Sequence, residues 1–247
     1  PRAARLLAAA ALLLAAAPPL RCQGLAELRG HLEQRIAARG AEVGLYFRDL
    51  TGPDSLAIGA DARFHAASIM KVPVMIQVFR EVDAQRLRLS DRLTVGNSFR
   101  SIADGSPYSL DKADDSDSSL YGRVGRTLPV RDLVELMITV SSNLATNILI
   151  DRVRADSVRA ALHDIGADSV TVLRGVEDGV AYGAGMNNTT TARGMGVVMA
   201  AIADGRAASA LSCGEMVRVL RRQRFNNGIP AGLPRGQTAK PSSLNES

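Results

Sequence analysis

Apolar residues recur at helical spacing through most of this chain, with a short stretch of strand character near its start. Leu28, Leu32, Ile36 and Ala37 predict an amphipathic helix over about 25–38. Two short apolar runs, 43–50 and 56–59, flank the turn-forming Thr51-Gly52-Pro53-Asp54, which predicts a β-hairpin. A second helix is expected from Ser68 to about Gln85. Val72, Val74, Met75, Ile76, Val78 and Phe79 cover so much of its circumference that it should be buried nearly all round. Residues 96–126 are loop-rich and hold Asp111, Asp114, Asp115 and Asp117. From Pro129, at a tolerated first-turn position, the pattern is helical again, with Leu133, Leu136, Met137 and Val140 on one face. Further helices are predicted from Leu144, over 157–165 with Gly166 as the stop, after Thr189-Thr190-Thr191 to Gly205, and over 211–224. In the last of these, Ser212 and Glu215 read as a capping box. A helix, a hairpin and then a helical block leave the sheet short of strands.

Composition narrows the class. With 247 residues and 46% hydrophobic content the chain can bury a core as one large domain or two interleaved lobes. Arg2 and Arg5 precede an Ala/Leu run from Leu6 to Ala17 that ends before Pro18-Pro19, so residues 1–23 read as a secretory signal peptide. That run is short for a membrane span, and no later stretch reaches the roughly 18 to 20 apolar residues a span requires. A soluble, exported protein is expected, periplasmic or extracellular, with no stable membrane insertion. The net charge of +5 is spread among interleaved acids, and 4% aromatic content leaves few stacking platforms, which argues against nucleic acid. Cys22 and Cys213 can pair only if the chain near the cleavage point is ordered, so a disulfide is not expected. The clustered aspartates lack the glycine and terminal glutamate of a calcium loop and read as a solvated acidic loop. His65 and His163 lie far apart, and no His-x-x-x-His or Cys-x-x-Cys pair exists, so neither a metal nor a cofactor is expected.

Two short strings carry chemistry. Ser68-Ile69-Met70-Lys71 puts a hydroxyl and an amine one helical turn apart, and burial can lower the lysine pKa until the amine accepts the serine proton. The alternative, a surface helix with Ser68 as its N-cap, conflicts with the apolar run that follows. Ser141-Ser142-Asn143 offers a hydroxyl to relay a proton and an amide to hold a carbonyl, with Asn147 one turn further on. Read alone, it is better explained as a polar link between two helices, with its side chains satisfying the helix ends.

Together, in this order and helical context, the two strings resemble the class A β-lactamases and other penicillin-recognising serine hydrolases. The resemblance spans about 25–233. The strings Phe64 to Pro73, Met137 to Asn147 and Arg174 to Asp178 are similar to class A-related serine hydrolases. It implies an α/β (α+β) fold of β-lactamase/D,D-peptidase type, a helical lobe plus an antiparallel sheet, with the catalytic domain over 24–240. Ser68 would attack a β-lactam carbonyl, Lys71 would act as base, Ser141 would protonate the leaving nitrogen, and Asn143 and Asn147 would bind substrate. Ser142 stands where the family often has aspartate. Deacylation requires a carboxylate from the loop 174–188. Glu177 is the candidate, one residue off the usual Arg-x-Glu spacing, with Asp178 as second choice and a solvated loop acid as the alternative. The implied partner is a small β-lactam or a D-Ala-D-Ala peptide, handled by a monomer without cofactors. A D,D-peptidase and a non-catalytic binding module are the competing readings.

The resemblance weakens at the end. Gly236-Gln237-Thr238-Ala239-Lys240 is followed by Pro241 where a Lys-Thr-Gly strand is expected, so 241–247 reads as a non-family tail and the C-terminal strands as missing. The expected consequences are loss of one oxyanion donor, about 10²- to 10³-fold in rate, and an unpaired edge on the hairpin.

Overall fold

The structure, a computed structural model, describes residues 20–232, with the side chains of 20–23, 229 and 230 outside the description. The signal-peptide reading, the Cys22 thiol, the missing Lys-Thr-Gly strand and the tail 241–247 all fall outside the described residues. The described residues fall into two compact units, divided between Ala62 and Arg63.

In the first unit, helix α1 (Leu20–Arg39) precedes strands β1 (Leu45–Arg48) and β2 (Ser55–Ile58), the expected hairpin. The strands pair antiparallel, Leu45 opposite Ile58 and Arg48 opposite Ser55. Their turn is locked by Asp49, whose Oδ1 accepts from the Thr51 N–H and hydroxyl, each at 2.7 Å. Gly59 follows at φ +52°, and a Cβ there would lie 2.8 Å from the Val43 carbonyl, so only glycine fits. Of the predicted α1 stripe, Leu32 and Ile36 are half-buried and Leu28 is exposed.

The second unit is built around one helix. The string from Ala67 opens as a 3₁₀ turn (Ala67–Met70) and continues as α2 (Lys71–Asp83). Nine of its thirteen residues, from Lys71 to Glu81, are buried, as the all-round apolar pattern requires. Around it pack α3 (Val130–Thr139), α4 (Asn143–Val153), α5 (Ala155–Asp164) and α8 (Ala210–Arg221). The remaining helices are the short α6 (Gly179–Gly183), which the sequence reading missed, and α7 (Ala192–Ala203). Met70, Val74, Met75, Leu133, Met137, Leu144 and Leu149 fill the centre and are fully buried.

Every ladder among the described residues is two-stranded and antiparallel. β3 (Phe64–His65) pairs with β8 (Thr189–Thr190), and β4 (Arg92–Thr94) with β7 (Thr127–Pro129). β5 (Phe99–Arg100) pairs with β6 (Pro107–Tyr108) inside the loop-rich stretch. The fold is therefore helix-rich α/β with small antiparallel ladders.

Two sequence expectations are corrected here. The N-cap of α8 is Ser209, not Ser212. Ser209 Oγ accepts from the Ser212 N–H at 3.2 Å, while the Ser212 hydroxyl donates to Asp83 Oδ1 at 2.6 Å. Asp83, which no local pattern reveals, draws the helix start three residues earlier. The aspartate loop is not uniformly solvated either: Asp111 and Asp114 are exposed, but Asp115 is buried.

Met137 is fully buried in the hydrophobic core and anchors α3 there. Met137→Ala is expected to destabilise the protein by about 2–5 kcal/mol, read as a lowered denaturation midpoint in urea.

Candidate active site

The 3₁₀ turn places Ser68 at the surface and Lys71 beneath it. Ser68 does not cap the helix, since the N-cap position of the turn is Ala66 and carries no side-chain bond. The Ala66 N–H donates to the Asn188 carbonyl at 2.9 Å, and Ala67 takes a φ of 44°, so the chain is bent sharply just before the serine. Non-glycine residues at positive φ are uncommon and cluster where structure over-determines them. Ser141 at 59° and Glu177 at 61° share this conformation, as do Gln85 and Arg154 away from the site.

Lys71 is 2% exposed, and its ammonium is surrounded by oxygen. Nζ donates to Ser141 O at 2.6 Å, Ser141 Oγ at 2.8 Å, Asn143 Oδ1 at 2.8 Å and Ser68 Oγ at 3.2 Å. The Ser141 hydroxyl in turn donates to Ser68 Oγ at 3.0 Å. Burial lowers the Lys71 pKa from 10.5 to about 8, against the opposing charges of Asp115 and Glu177. The amine is thus neutral in a useful fraction of molecules near neutral pH, as a general base must be.

Asn143 bridges the two halves of the site. Its Oδ1 faces Lys71, and its Nδ2 donates to Glu177 Oε1 at 2.7 Å. Glu177 faces solvent from the loop 174–188, beside a cleft of about 230 Å³ walled by His65, Ala67, Val176, Tyr182 and Asn188. Burial raises its pKa above the ordinary carboxylate value, with help from the charges of Asp115 and Asp114. Hydrogen bonds from Asn143 and the Asp111 backbone oppose the rise. Asp178, the second choice, points elsewhere: it is buried, caps α6 through the Ala181 N–H and accepts from the Ile102 N–H at 3.0 Å.

Ser68, Lys71, Ser141, Asn143 and Glu177 are therefore brought together, and Asn147 is not a substrate-facing group. Asn147 is 1% exposed, accepts from the Val176 N–H at 2.7 Å, and donates to the Val176 carbonyl at 3.0 Å and to Tyr108 Oη at 3.3 Å. It sits one turn further along α4 than Asn143, where the Val176 backbone of the loop takes up its amide. Two further loop fasteners went unread in the sequence. Asn188 accepts from the Leu173 and Arg174 N–H groups and donates to the Arg174 carbonyl. Arg174 donates to the Met186 and Gly175 carbonyls and to Asn187 Oδ1. Only the polarity of these residues in a short loop could have hinted at this. Among the described residues no group of three or more His, Cys, Asp or Glu could hold a metal ion. Cys213 is a buried free thiol outside the site.

Gly175 lies against the Asn147 amide. An added Cβ would sit 2.8 Å from Asn147 Cγ and closer still to Oδ1. Gly175→Ala is expected to cost about 1–3 kcal/mol and to make the 174–188 loop the first point of cleavage in limited proteolysis.

A family model described as "Beta-lactamase enzyme family" matches residues 27–243. No significant match was found among curated proteins. Among solved structures, a β-lactamase from Sphaerobacter thermophilus DSM 20745 is 31% identical, with a TM-score of 0.66, covering 81% of this chain and 70% of that one. A PBP-A variant solved as an acyl-enzyme complex with penicillin G is 28% identical, with a TM-score of 0.70, covering 86% of this chain and 75% of that one. A β-lactamase from Xanthomonas campestris pv. campestris str. ATCC 33913 is 21% identical and similar in fold, with a TM-score of 0.71, covering 85% of this chain and 75% of that one. With a match over most of its length and these neighbours, the chain belongs to the β-lactamase enzyme family.

Proposed function

We propose that the protein is an exported serine hydrolase that opens β-lactam amides through an acyl-enzyme on Ser68. One observation carries the reading: a buried lysine with a lowered pKa lies within hydrogen-bond distance of both hydroxyls the reaction needs. Neutral Lys71 takes the Ser68 proton as Oγ bonds to the lactam carbonyl carbon. The carbon–nitrogen bond then breaks, and the nitrogen receives a proton from Ser141, which Lys71 replenishes. Asn143 Nδ2 has a second hydrogen for the substrate amide carbonyl. In deacylation Glu177 takes a proton from water as the water oxygen attacks the acyl carbon, and that proton passes to Ser68 Oγ as the acyl carbon–Oγ bond breaks. The penicillin G acyl-enzyme of PBP-A supports the first half of this cycle in a similar fold.

A second reading is favoured by the position of Glu177. Its carboxylate is already engaged by Asn143, which restrains it from a water at the acyl carbonyl. A chain that acylates and then stalls would act as a penicillin-binding enzyme of D-Ala-D-Ala peptides.

Mass spectrometry after mixing with penicillin G separates the two readings. Ser68→Ala should form no adduct. Parent protein should turn over, and Glu177→Gln should hold the adduct with deacylation slowed about 10²- to 10⁴-fold. A long-lived adduct in the parent favours the penicillin-binding reading, and an adduct that persists in Ser68→Ala sinks both. The single-turnover acylation rate should rise with pH through about 8, because deprotonation creates the base. In Glu177→Gln that limb should move to lower pH, since a negative charge that favours the ammonium is gone.

A further inference from the structure

The first turn of α4 exposes backbone N–H groups with no helical acceptor, and the site depends on where that turn begins. Ser142, the N-cap, satisfies one of them: its Oγ accepts from the Ala145 N–H at 3.3 Å. The N–H groups of Asn143 and Leu144 lie beyond its reach. Both donate to Asp115, the first to Oδ1 and the second to Oδ2, each at 2.9 Å.

Asp115 is 8% exposed, and its remaining contacts hold it in place. Oδ1 also accepts from the Asp117 N–H at 3.0 Å, and Oδ2 from the Tyr121 hydroxyl at 3.1 Å. Burial and the Asp115 charge raise the Tyr121 pKa, so the phenol stays a donor throughout the neutral range. Four hydrogen bonds thus fix one buried carboxylate across the start of the helix that carries Asn143. A carboxylate there is favoured by the helix dipole and by charge-assisted bonding. The aspartate that the family often has within the Ser-x-Asn string is a serine here, and the carboxylate arrives from 28 residues upstream instead.

We propose that Asp115 is a positioning residue of this site, supplying from the acidic loop the carboxylate that Ser142 does not, and so fixing Asn143 and Ser141 against Lys71. The proposal rests on the Ser68 acyl-enzyme reading for its kinetic consequence, but not for its geometry. Asn143 and Ser141 belong to the chain that Asp115 pins, and both are bonded to Lys71. Displacing such groups by about 1 Å costs on the order of 10²-fold in rate. Lys71 also faces two carboxylates, Asp115 and Glu177, whose charges favour its protonated form. Removing the Asp115 charge lets Lys71 lose its proton at lower pH.

The test compares the parent, Asp115→Asn and the double variant Asp115→Asn/Ser142→Asp, which returns a carboxylate to the α4 N-cap. Single-turnover acylation by penicillin G, followed by mass spectrometry, should fall roughly 10²-fold in Asp115→Asn and recover at least tenfold in the double variant. Lys71 should be titrated separately in ligand-free protein by ¹³C NMR of labelled lysine. Its midpoint should move to lower pH in Asp115→Asn, which a purely structural role for Asp115 would not produce. If Asp115→Asn does not fold, the double variant should, because the added N-cap carboxylate can accept from the Leu144 N–H, at the second position of the helix. A double variant no better folded and no faster than Asp115→Asn alone overturns the proposal, as does a Lys71 midpoint unmoved by Asp115→Asn. If the parent forms no adduct with penicillin G, the acyl-enzyme reading falls while the NMR titration still decides the role of Asp115.

Discussion

Burying the Lys71 ammonium is the constraint around which the second unit is arranged. A lone charge of this size cannot be taken out of water without partners, and here every hydrogen-bond partner is an oxygen of the candidate site. The Ser141 carbonyl, two serine hydroxyls and the Asn143 amide together hold a charge that burial alone would expel. The same arrangement leaves the amine only moderately shifted, at about 8, because Asp115 and Glu177 stand behind it. A fully apolar pocket would make the lysine a weak base that is always neutral, and full exposure would leave it always charged.

Holding those oxygens in place demands backbone conformations that ordinary residues avoid. Ala67, Ser141 and Glu177 all adopt positive φ, one beside each of the three strings that build the site. Each costs of the order of 1–3 kcal/mol, which the surrounding bonds offset. The Asn188 carbonyl holds the bend before Ser68, Lys71 holds the Ser141 carbonyl, and Asn147 grips Val176 just before Glu177. Glycine would relax the backbone at these positions, but it would remove the Ser141 hydroxyl and the Glu177 carboxylate from the site.

What could be read in advance was what covalent spacing enforces. Ser68 and Lys71 meet because a helical turn brings positions three apart onto one face, and the apolar run behind them declared the burial of α2. Helix positions followed from periodicity, although Asp83 moved the cap of α8 from Ser212 to Ser209. The misreadings share a cause: a polar residue whose partner is remote in sequence. Asp115 looked like one of several solvated acids until its partners at Asn143 and Leu144 were seen. Asn147 looked like a substrate ligand because it follows Asn143 by one turn, yet its amide is consumed by the Val176 backbone. The short ladders, such as Phe64 opposite Thr190, join segments too brief to show alternation.

The loop from Arg174 to Asn188 is tied by Asn147, Asn188 and the Arg174 guanidinium, and none of these bonds uses the Glu177 side chain. Its conformation and its Glu177 carboxylate are therefore separable. Mutation can trade a carboxylate for an amide or an alkyl group at position 177 while the loop keeps its shape. Chains that differ in the charge at position 177 are then neighbours in sequence space, joined by a path that never passes through an unfolded intermediate.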